Sequence, residues 1–184
     1  NEAQETKFTT IDTKVSGKVV SGILYVPNSA SETNKLPAVV LTHGYLNNRE
    51  HQLPFAIELA RRGFVVLTVD REGHGNYNNV TNSGAMMATN GLYDSAKYVY
   101  NLPFVDKTKV GITGHSMGGY TTAMTLYQDA IPTEATVTVE GKKYTGNALG
   151  MNLISAGLMQ GWSTYIYSGA NVSVGMLKAT DDEF

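Results

Sequence analysis

The chain has 184 residues, enough for one domain with a hydrophobic core. Its net charge of −2 argues against nucleic-acid binding, and the absence of cysteine excludes disulfides, thiolate metal sites and a cysteine nucleophile. The low charged fraction of 16% and the lack of cysteine slightly favour an extracytoplasmic location.

The first part of the chain predicts a hairpin followed by two buried strands with a helix between them. The β-rich runs 6–15 and 18–26 join at a Ser-Gly turn, and a polar loop covers 27–37. Continuous apolar runs at 38–42 and 64–69 are typical of strands buried on both faces. Between them, apolar residues recur at helical spacing and a glycine follows as the C-cap, namely Leu53, Ala56, Ile57, Ala60 and Gly63.

The rest of the chain continues the alternation of helices and strands. A segment rich in Gly and Asn, 73–90, is long enough to indicate a functional or mobile loop. Helices are predicted over 92–99 and 118–128, on either side of a strand at 109–113. A small hairpin and two further strands are predicted after them, at 136–139 with 142–145, at 148–156 and at 171–177.

Strands that are apolar throughout and alternate with helices predict an α/β fold. We expect a mostly parallel, doubly wound sheet with helices on both faces and an N-terminal antiparallel hairpin, in one domain over residues 1–184. Ligands of such sheets bind at the carboxyl ends of the strands. The residues that follow each buried strand are therefore the candidates for chemistry.

The strand at 109–113 is followed by "GHSMGG", a G-x-S-x-G motif at Gly114, Ser116 and Gly118. A sharp turn between strand and helix would present the Ser116 hydroxyl above the sheet, and the glycines permit close approach. The helix N-terminus that follows favours a developing negative charge. An incidental serine in a plain glycine turn is the alternative, but the strand before it and the helix after it favour a nucleophile.

The strand at 38–42 is followed by "HGYLNN". A nucleophile on a strand–turn–helix takes its second oxyanion donor from such a loop. We therefore predict that the backbone N–H groups of Tyr45 and Met117 form an oxyanion hole. We interpret His43 as a structural residue that holds the loop by hydrogen bonds, rather than as a catalytic base.

The strand at 64–69 is followed by "DREGHG", in which Asp70 and His74 are conceivable members of a triad. In this kind of site, however, the acid and the base follow the serine in the chain. We expect Asp70 and the two glycines to shape a turn at the strand end instead.

The segments "LTHGYLNN", "VLTVDREGHG" and "VGITGHSMGG" occur in the order and spacing of the α/β-hydrolase fold superfamily. The chain resembles the esterase, lipase and peptidase-like branch related to dienelactone hydrolases, with serine in place of cysteine as the nucleophile. The resemblance spans nearly the whole chain and is far more specific for the fold than for the substrate.

The resemblance implies a triad in the chain order Ser, Asp or Glu, His. The acid of this superfamily follows the next-to-last strand, which here is 171–177, and the chain continues as "KATDDEF". Asp182 matches the acid best, Asp181 second and Glu183 third. The acid would accept a hydrogen bond from the base and hold its tautomer. A solvated acidic terminus is the alternative reading.

All four histidines of the chain precede that acid, at His43, His51, His74 and His115. We expect the His115 side chain to point away from the Ser116 hydroxyl, and His51 is a weak substitute for a base. The resemblance implies a histidine beyond residue 184, so the chain looks truncated before the last strand. It is interpreted as one piece of a cut polypeptide whose C-terminal remainder binds as a second chain, or as a fragment; a natural pseudo-hydrolase is the third explanation.

The resemblance further implies a serine hydrolase that acts on a small-molecule ester or acyl substrate, without a metal or an organic cofactor. A carboxylic ester is the first expectation, and the isolated chain is expected to be inactive. A peptidase, a thioesterase, a triad enzyme of another reaction such as a C–C bond hydrolase or cofactor-free haloperoxidase, and a non-catalytic binding domain stay open. Several apolar side chains either line a pocket or belong to ordinary packing, namely Tyr45, Tyr77, Met86, Met87, Trp162 and Tyr165.

Overall fold

The alternation of apolar strands and amphipathic helices produces a layered α/β structure in a computed structural model of the chain. The structure describes residues 5–15, 18–77, 91–130, 136–139, 142–145, 154, 156–160 and 173–177. Within these residues the strands are β1 (Thr6–Val15), β2 (Lys18–Pro27), β3 (Leu36–Thr42), β4 (Val65–Val69), β5 (Val105–His115), β6 (Thr136–Val139), β7 (Lys142–Thr145), β8 (Ala156–Gln160) and β9 (Ser173–Leu177). The α-helices of the same residues are α1 (Leu53–Arg61), α2 (Leu92–Tyr100) and α3 (Met117–Ala130), and a 3₁₀ turn covers Gly75–Tyr77.

The main sheet has the strand order β1-β2-β4-β3-β5-β8-β9. The short connection between β1 and β2 makes them antiparallel, and β2 also pairs antiparallel with β4. The other neighbouring strands pair in parallel. The prediction of a mostly parallel sheet with an N-terminal antiparallel hairpin is confirmed.

Alternate residues of the central strands pack into two hydrophobic clusters. Val40 packs in one cluster with Leu92 of α2 and Leu126 of α3. Its neighbour Leu41 packs in the other with Ala56 and with the rest of the α1 face. Since successive strand residues point to opposite faces, helices cover both faces of the sheet, as predicted.

The start of α1 is tied to the end of β3. The Gln52 side chain precedes the helix, and its Nε2 donates a hydrogen bond to the Thr42 carbonyl at 2.7 Å. Gly63 follows the helix with φ of +92°, as expected for the residue that ends it. The loop between β3 and α1 is thus closed at its base.

Two strands are longer than their apolar runs. β3 begins at Leu36 rather than 38, and β5 extends over Val105–His115 rather than 109–113. The first residues of the two strands, Leu36 and Val105, lie opposite each other before a register shift. Pairing between strands, rather than apolarity, therefore sets the bounds of β3 and β5. Helix α3 begins at Met117, one residue before its predicted start.

The strand that pairs with β5 is displaced from its prediction at 148–156. The described ladder joins Gly111–His115 to Ala156–Gln160. The Thr113 hydroxyl supports this register by donating to the Leu158 carbonyl at 2.7 Å. Residues 148–153 lie outside the described part of the chain. The small hairpin β6–β7 and the strand β9 occur where they were predicted.

In the part of the chain that the structure describes, no helix is long and apolar enough to cross a membrane.

Candidate active site

Ser116 lies at the turn between β5 and α3, as predicted, and its backbone is left-handed with φ of +54°. Such a conformation is uncommon outside glycine and costs about 1–2 kcal/mol. The Ser116 carbonyl accepts a hydrogen bond from the Gly119 N–H at 2.8 Å, which starts the helix directly after the turn. The chain therefore reverses sharply around the serine.

The two outer glycines of the motif let the turn pack against the end of β3. A Cβ at residue 118 would lie 2.7 Å from both the Thr42 and the His43 carbonyl oxygens. A Cβ at residue 114 would collide with the Gly118 carbonyl and lie 2.6 Å from the Thr42 side chain. Both positions thus require glycine for close approach, as the motif predicts.

The loop after β3 lies against the Ser116 turn. A Cβ on Gly44 would be 3.2 Å from the Ser116 Cβ, so the loop backbone touches the turn at this point. The next residue, Tyr45, has a side chain that is mostly exposed, and its backbone N–H donates no hydrogen bond to a described residue. The same holds for the N–H of Met117, the first residue of α3. The predicted oxyanion donors are therefore uncommitted within the described residues, on two segments in contact.

Leu46 in the same loop is also left-handed, with φ of +58°. Among the described residues, Leu46 and Ser116 are the non-glycine residues with positive φ. Strained backbone of this kind clusters at functional sites. The sequence carries no signal for the conformation of Leu46, because leucine has no preference for it.

His43 is a buried structural residue, as predicted. The Arg71 backbone N–H donates to its Nε2 at 3.2 Å, so the proton sits on Nδ1, which donates to the Gly44 carbonyl at 2.7 Å. Burial, with a smaller contribution from the nearby Arg71 guanidinium, lowers the pKa of His43 to about 4. His43 is therefore neutral at physiological pH and uses both nitrogens to hold the loop.

Asp70 is buried at the end of β4 and shapes the following turn, as predicted. Its carboxylate accepts hydrogen bonds from the Ser21 hydroxyl at 3.1 Å and from the Arg49 and Asn76 backbone N–H groups at 3.0 and 3.1 Å. Gly73 and Gly75 follow with positive φ. A side chain at residue 75 would collide with the carboxylate.

Arg71 was not singled out from the sequence, yet it is one of the largest fully buried side chains, at 1% exposure. Its Nη1 reaches the His43 carbonyl at 3.5 Å, and its Nε has no hydrogen-bond partner among the described residues. Burial lowers its pKa to about 10, which leaves it charged at neutral pH. The "DR" that follows a buried strand was the only signal for this residue.

The remaining histidines lie around the site. His74 packs edge-on against His43, with ring centroids 5.2 Å apart, and near Tyr45 at 6.3 Å. His51 and His115 are both exposed, with ring centroids 5.5 Å apart. Among the described residues, no hydrogen bond joins one of these histidines to the Ser116 hydroxyl, and the orientation expected for the His115 side chain stays a prediction.

Asp182, Asp181 and Glu183 lie outside the described residues, as do Met86, Met87, Trp162, Tyr165 and the Tyr77 side chain. An apolar groove of about 580 Å³ runs between the β1–β2 hairpin and α1. Its lining within the described residues does not include Tyr45 and consists of Thr6, Phe8, Ile23, Tyr25, Glu50, Leu53, Ile57 and Arg61. Within the described ranges no three acidic or histidine side chains are grouped as a metal site.

Comparisons with known proteins give a family and a fold. A family model described as PET hydrolase-like matches residues 1–139. The probable dipeptidyl-aminopeptidase B of Arthroderma benhamiae is 31% identical over 115 residues, which make up 56% of this chain and 12% of that protein. Its counterpart in Trichophyton verrucosum is 30% identical over 115 residues, covering 56% and 13%. The chain thus spans about an eighth of the length of the curated relatives it matches.

Solved structures share the architecture. A hyperthermophilic esterase from Pyrobaculum calidifontis superposes with a TM-score of 0.59 at 24% identity, covering 87% of this chain and 45% of that one. A bacterial heroin esterase superposes with a TM-score of 0.58 at 16% identity, covering 86% of this chain and 44% of that one. Dipeptidyl peptidase 4 of Porphyromonas gingivalis gives 0.53 at 22%, covering 86% and 21%. Identities this low carry the fold alone.

The strand order, the turn at Ser116 and the family match agree with the resemblance read from the sequence. Because the family model covers residues 1–139 of 184, the chain belongs to the PET hydrolase-like family of α/β-hydrolases.

Proposed function

We propose that the chain is the nucleophile-bearing part of a serine hydrolase that cleaves a carboxylic ester through an acyl-enzyme on Ser116. The observation that carries this proposal is the left-handed Ser116 at the junction of β5 and α3. A serine that only fills a turn gains nothing from φ of +54°, whereas a nucleophile gains an exposed hydroxyl beside a helix N-terminus.

In the proposed reaction the Ser116 oxygen attacks the ester carbonyl carbon while a base takes the hydroxyl proton. The carbonyl oxygen becomes an oxyanion that accepts hydrogen bonds from the Tyr45 and Met117 N–H groups. Collapse expels the alcohol, which receives the proton from the base, and water then releases the acid by the same steps. Each oxyanion donor is worth about 10²–10³ in kcat.

The base is proposed to be a histidine from beyond residue 184, with Asp182 holding its tautomer. This proposal is supported by His43, which has both nitrogens engaged, and by the lack of a hydrogen bond from another histidine to Ser116 among the described residues. The rest of the polypeptide, bound as a second chain, would supply it. We therefore expect residues 1–184 alone to show negligible turnover; robust esterase activity from them would contradict this assignment.

A serine-reactive fluorophosphonate probe tests the proposal on the natural protein that contains this chain. We expect one adduct, mapped to Ser116 by peptide mass spectrometry, and its loss in Ser116→Ala. Ser31→Ala is the matched control, because Ser31 is an exposed loop serine. A folded natural protein that stays unlabelled at Ser116 would refute the nucleophile assignment and favour a non-catalytic binding domain.

A peptidase is the second candidate, favoured by the similarity to probable dipeptidyl-aminopeptidase B. A thioesterase would use the same chemistry. Parallel rates on a p-nitrophenyl ester, a dipeptide p-nitroanilide and an acyl thioester separate these activities. The preferred substrate is the one with the highest kcat/KM, and Ser116→Ala should abolish all three rates.

A further inference from the structure

The loop that carries the Tyr45 amide is held at both of its ends by two consecutive residues. We call residues 43–49 the amide loop. At its start, the Arg71 N–H donates to His43 Nε2 at 3.2 Å. At its end, the Arg49 N–H donates to Asp70 Oδ1 at 3.0 Å. Tyr45 and the strained Leu46 lie between these two anchors.

The Asp70 carboxylate is itself fixed from several directions. It is 2% exposed, and its Oδ2 accepts hydrogen bonds from the Ser21 hydroxyl on β2 and the Asn76 N–H, both at 3.1 Å. The Arg49 guanidinium lies 3.6 Å from the same oxygen. The Asp70 N–H donates to the Ser21 carbonyl at 2.8 Å. An acceptor held this firmly to the sheet can transmit its position to the amide loop.

We propose that Asp70 is a positioning residue that sets the Tyr45 N–H relative to Ser116 by anchoring the Arg49 end of the amide loop. The inference rests on the proposed function, because it assigns the positioned amide to the oxyanion. A hydrogen bond to a buried carboxylate is among the strong ones, and the left-handed Leu46 needs restraint on both sides to persist. A loop released at one end would relax, and misplacement by about 1 Å can cost 10²-fold in rate.

The test compares Asp70→Ala and Asp70→Asn with Ser21→Ala in the natural protein. Ser21→Ala is the matched control, since it removes a donor to the same carboxylate from the sheet side and leaves the Arg49 N–H bond in place. The readouts are kcat and KM on a p-nitrophenyl ester, affinity for a trifluoromethyl ketone that forms an oxyanion on the serine, and amide hydrogen exchange across residues 43–49.

For Asp70→Ala we expect kcat to fall at least about tenfold, KM to change by less than about threefold, and ketone affinity to fall with kcat. Exchange in the amide loop should speed up, while the start of α3 keeps its protection. The kcat of Asp70→Asn should lie between those of wild type and Asp70→Ala, because the asparagine amide retains one acceptor oxygen. Ser21→Ala should have a smaller effect than Asp70→Asn in every readout, because the Asn76 N–H still donates to the carboxylate and the Asp70 N–H still donates to the Ser21 carbonyl.

A folded Asp70→Ala protein with wild-type kcat and unchanged loop exchange would overturn the inference. If that variant does not fold, a folded Asp70→Asn protein with wild-type kcat and unchanged loop exchange overturns the inference instead. If wild type itself does not react at Ser116, the proposed function has failed separately. Loop exchange in Asp70→Asn against Ser21→Ala then decides the anchoring, and equal exchange in the two overturns it.

Discussion

Gly118 of α3 packs against the end of β3, and substitution by alanine should separate the two elements. The added Cβ would lie 2.7 Å from the Thr42 and His43 carbonyl oxygens, well inside ordinary van der Waals contact. Both oxygens belong to the backbone at the end of a buried strand, so they cannot rotate away as a side chain would. We expect the N-terminus of α3 to shift outward and carry Ser116 with it.

The energetic cost follows from two opposing effects. Overpacking of a buried site typically costs about 1–3 kcal/mol, and two rigid contacts place Gly118→Ala at the upper end. Alanine recovers about 1 kcal/mol through its higher helix propensity. The net loss is therefore about 2 kcal/mol, or a fall in Tm of roughly 4–8 °C for a chain of this size.

Urea unfolding followed by far-UV circular dichroism measures this loss, with Gly157→Ala as the matched control. A Cβ at residue 157 would also be crowded, 2.5 Å from Leu126 Cδ1, but that methyl ends a side chain that can change rotamer. Gly157→Ala should therefore cost less than half as much. A Gly118→Ala protein as stable as wild type, or a larger loss in Gly157→Ala, would refute the steric argument.

Three further predictions concern single buried or strained residues. The folded pKa of His43 is about 4, below the unfolded value of about 6.5, so the free energy of unfolding should fall by up to about 3 kcal/mol as the pH drops from 6.5 to 4. Urea midpoints across this window should decline more steeply in wild type than in His43→Gln. Equal slopes in the two proteins would contradict the assignment of a neutral, buried His43. Ser116→Gly should be about 1 kcal/mol more stable than Ser116→Ala in the same unfolding assay, because glycine adopts φ of +54° without backbone strain. The reverse order of stability would show that the backbone at residue 116 is not strained. Tyr93→Phe should lower the free energy of unfolding in urea by about 1–3 kcal/mol, because the buried Tyr93 hydroxyl donates a hydrogen bond to Asp129 at 3.0 Å. A loss below about 0.5 kcal/mol would show that this hydrogen bond does not stabilise the core.

The fold was largely predictable because the chain repeats simple local patterns. Apolar runs identified β3, β4 and β5, and helical spacing identified α1 and α2. The described strand β8 covers Ala156–Gln160, next to the similarly apolar segment 148–156 in which the strand was predicted; residues 148–153 lie outside the described part of the chain. The choice between them depends on contacts with residues far along the chain, such as the Thr113 bond to Leu158.

The positions of Ser116 and of the loop after β3 were also predictable from local sequence. Glycines on both sides of Ser116 predict a tight turn, and "HG" after an apolar run predicts a loop at the same edge of the sheet. The roles of Tyr45, Met117 and Asp182 stay predictions. The burial of Arg71 and the left-handed Leu46 were not predictable, because neither residue type prefers that environment or conformation.

From residue pattern alone follow the α/β class, the position of Ser116 between a strand and a helix, and the edge of the sheet at which the candidate site lies. The tertiary structure decides how the amide loop is held, since Ser21, Arg49 and Asn76 converge on Asp70 from separate segments, Ser21 from 49 residues away. The physical reason is range: periodicity and turn chemistry act over a few neighbouring residues, whereas a buried carboxylate finds its donors only after the strand order has brought distant segments together.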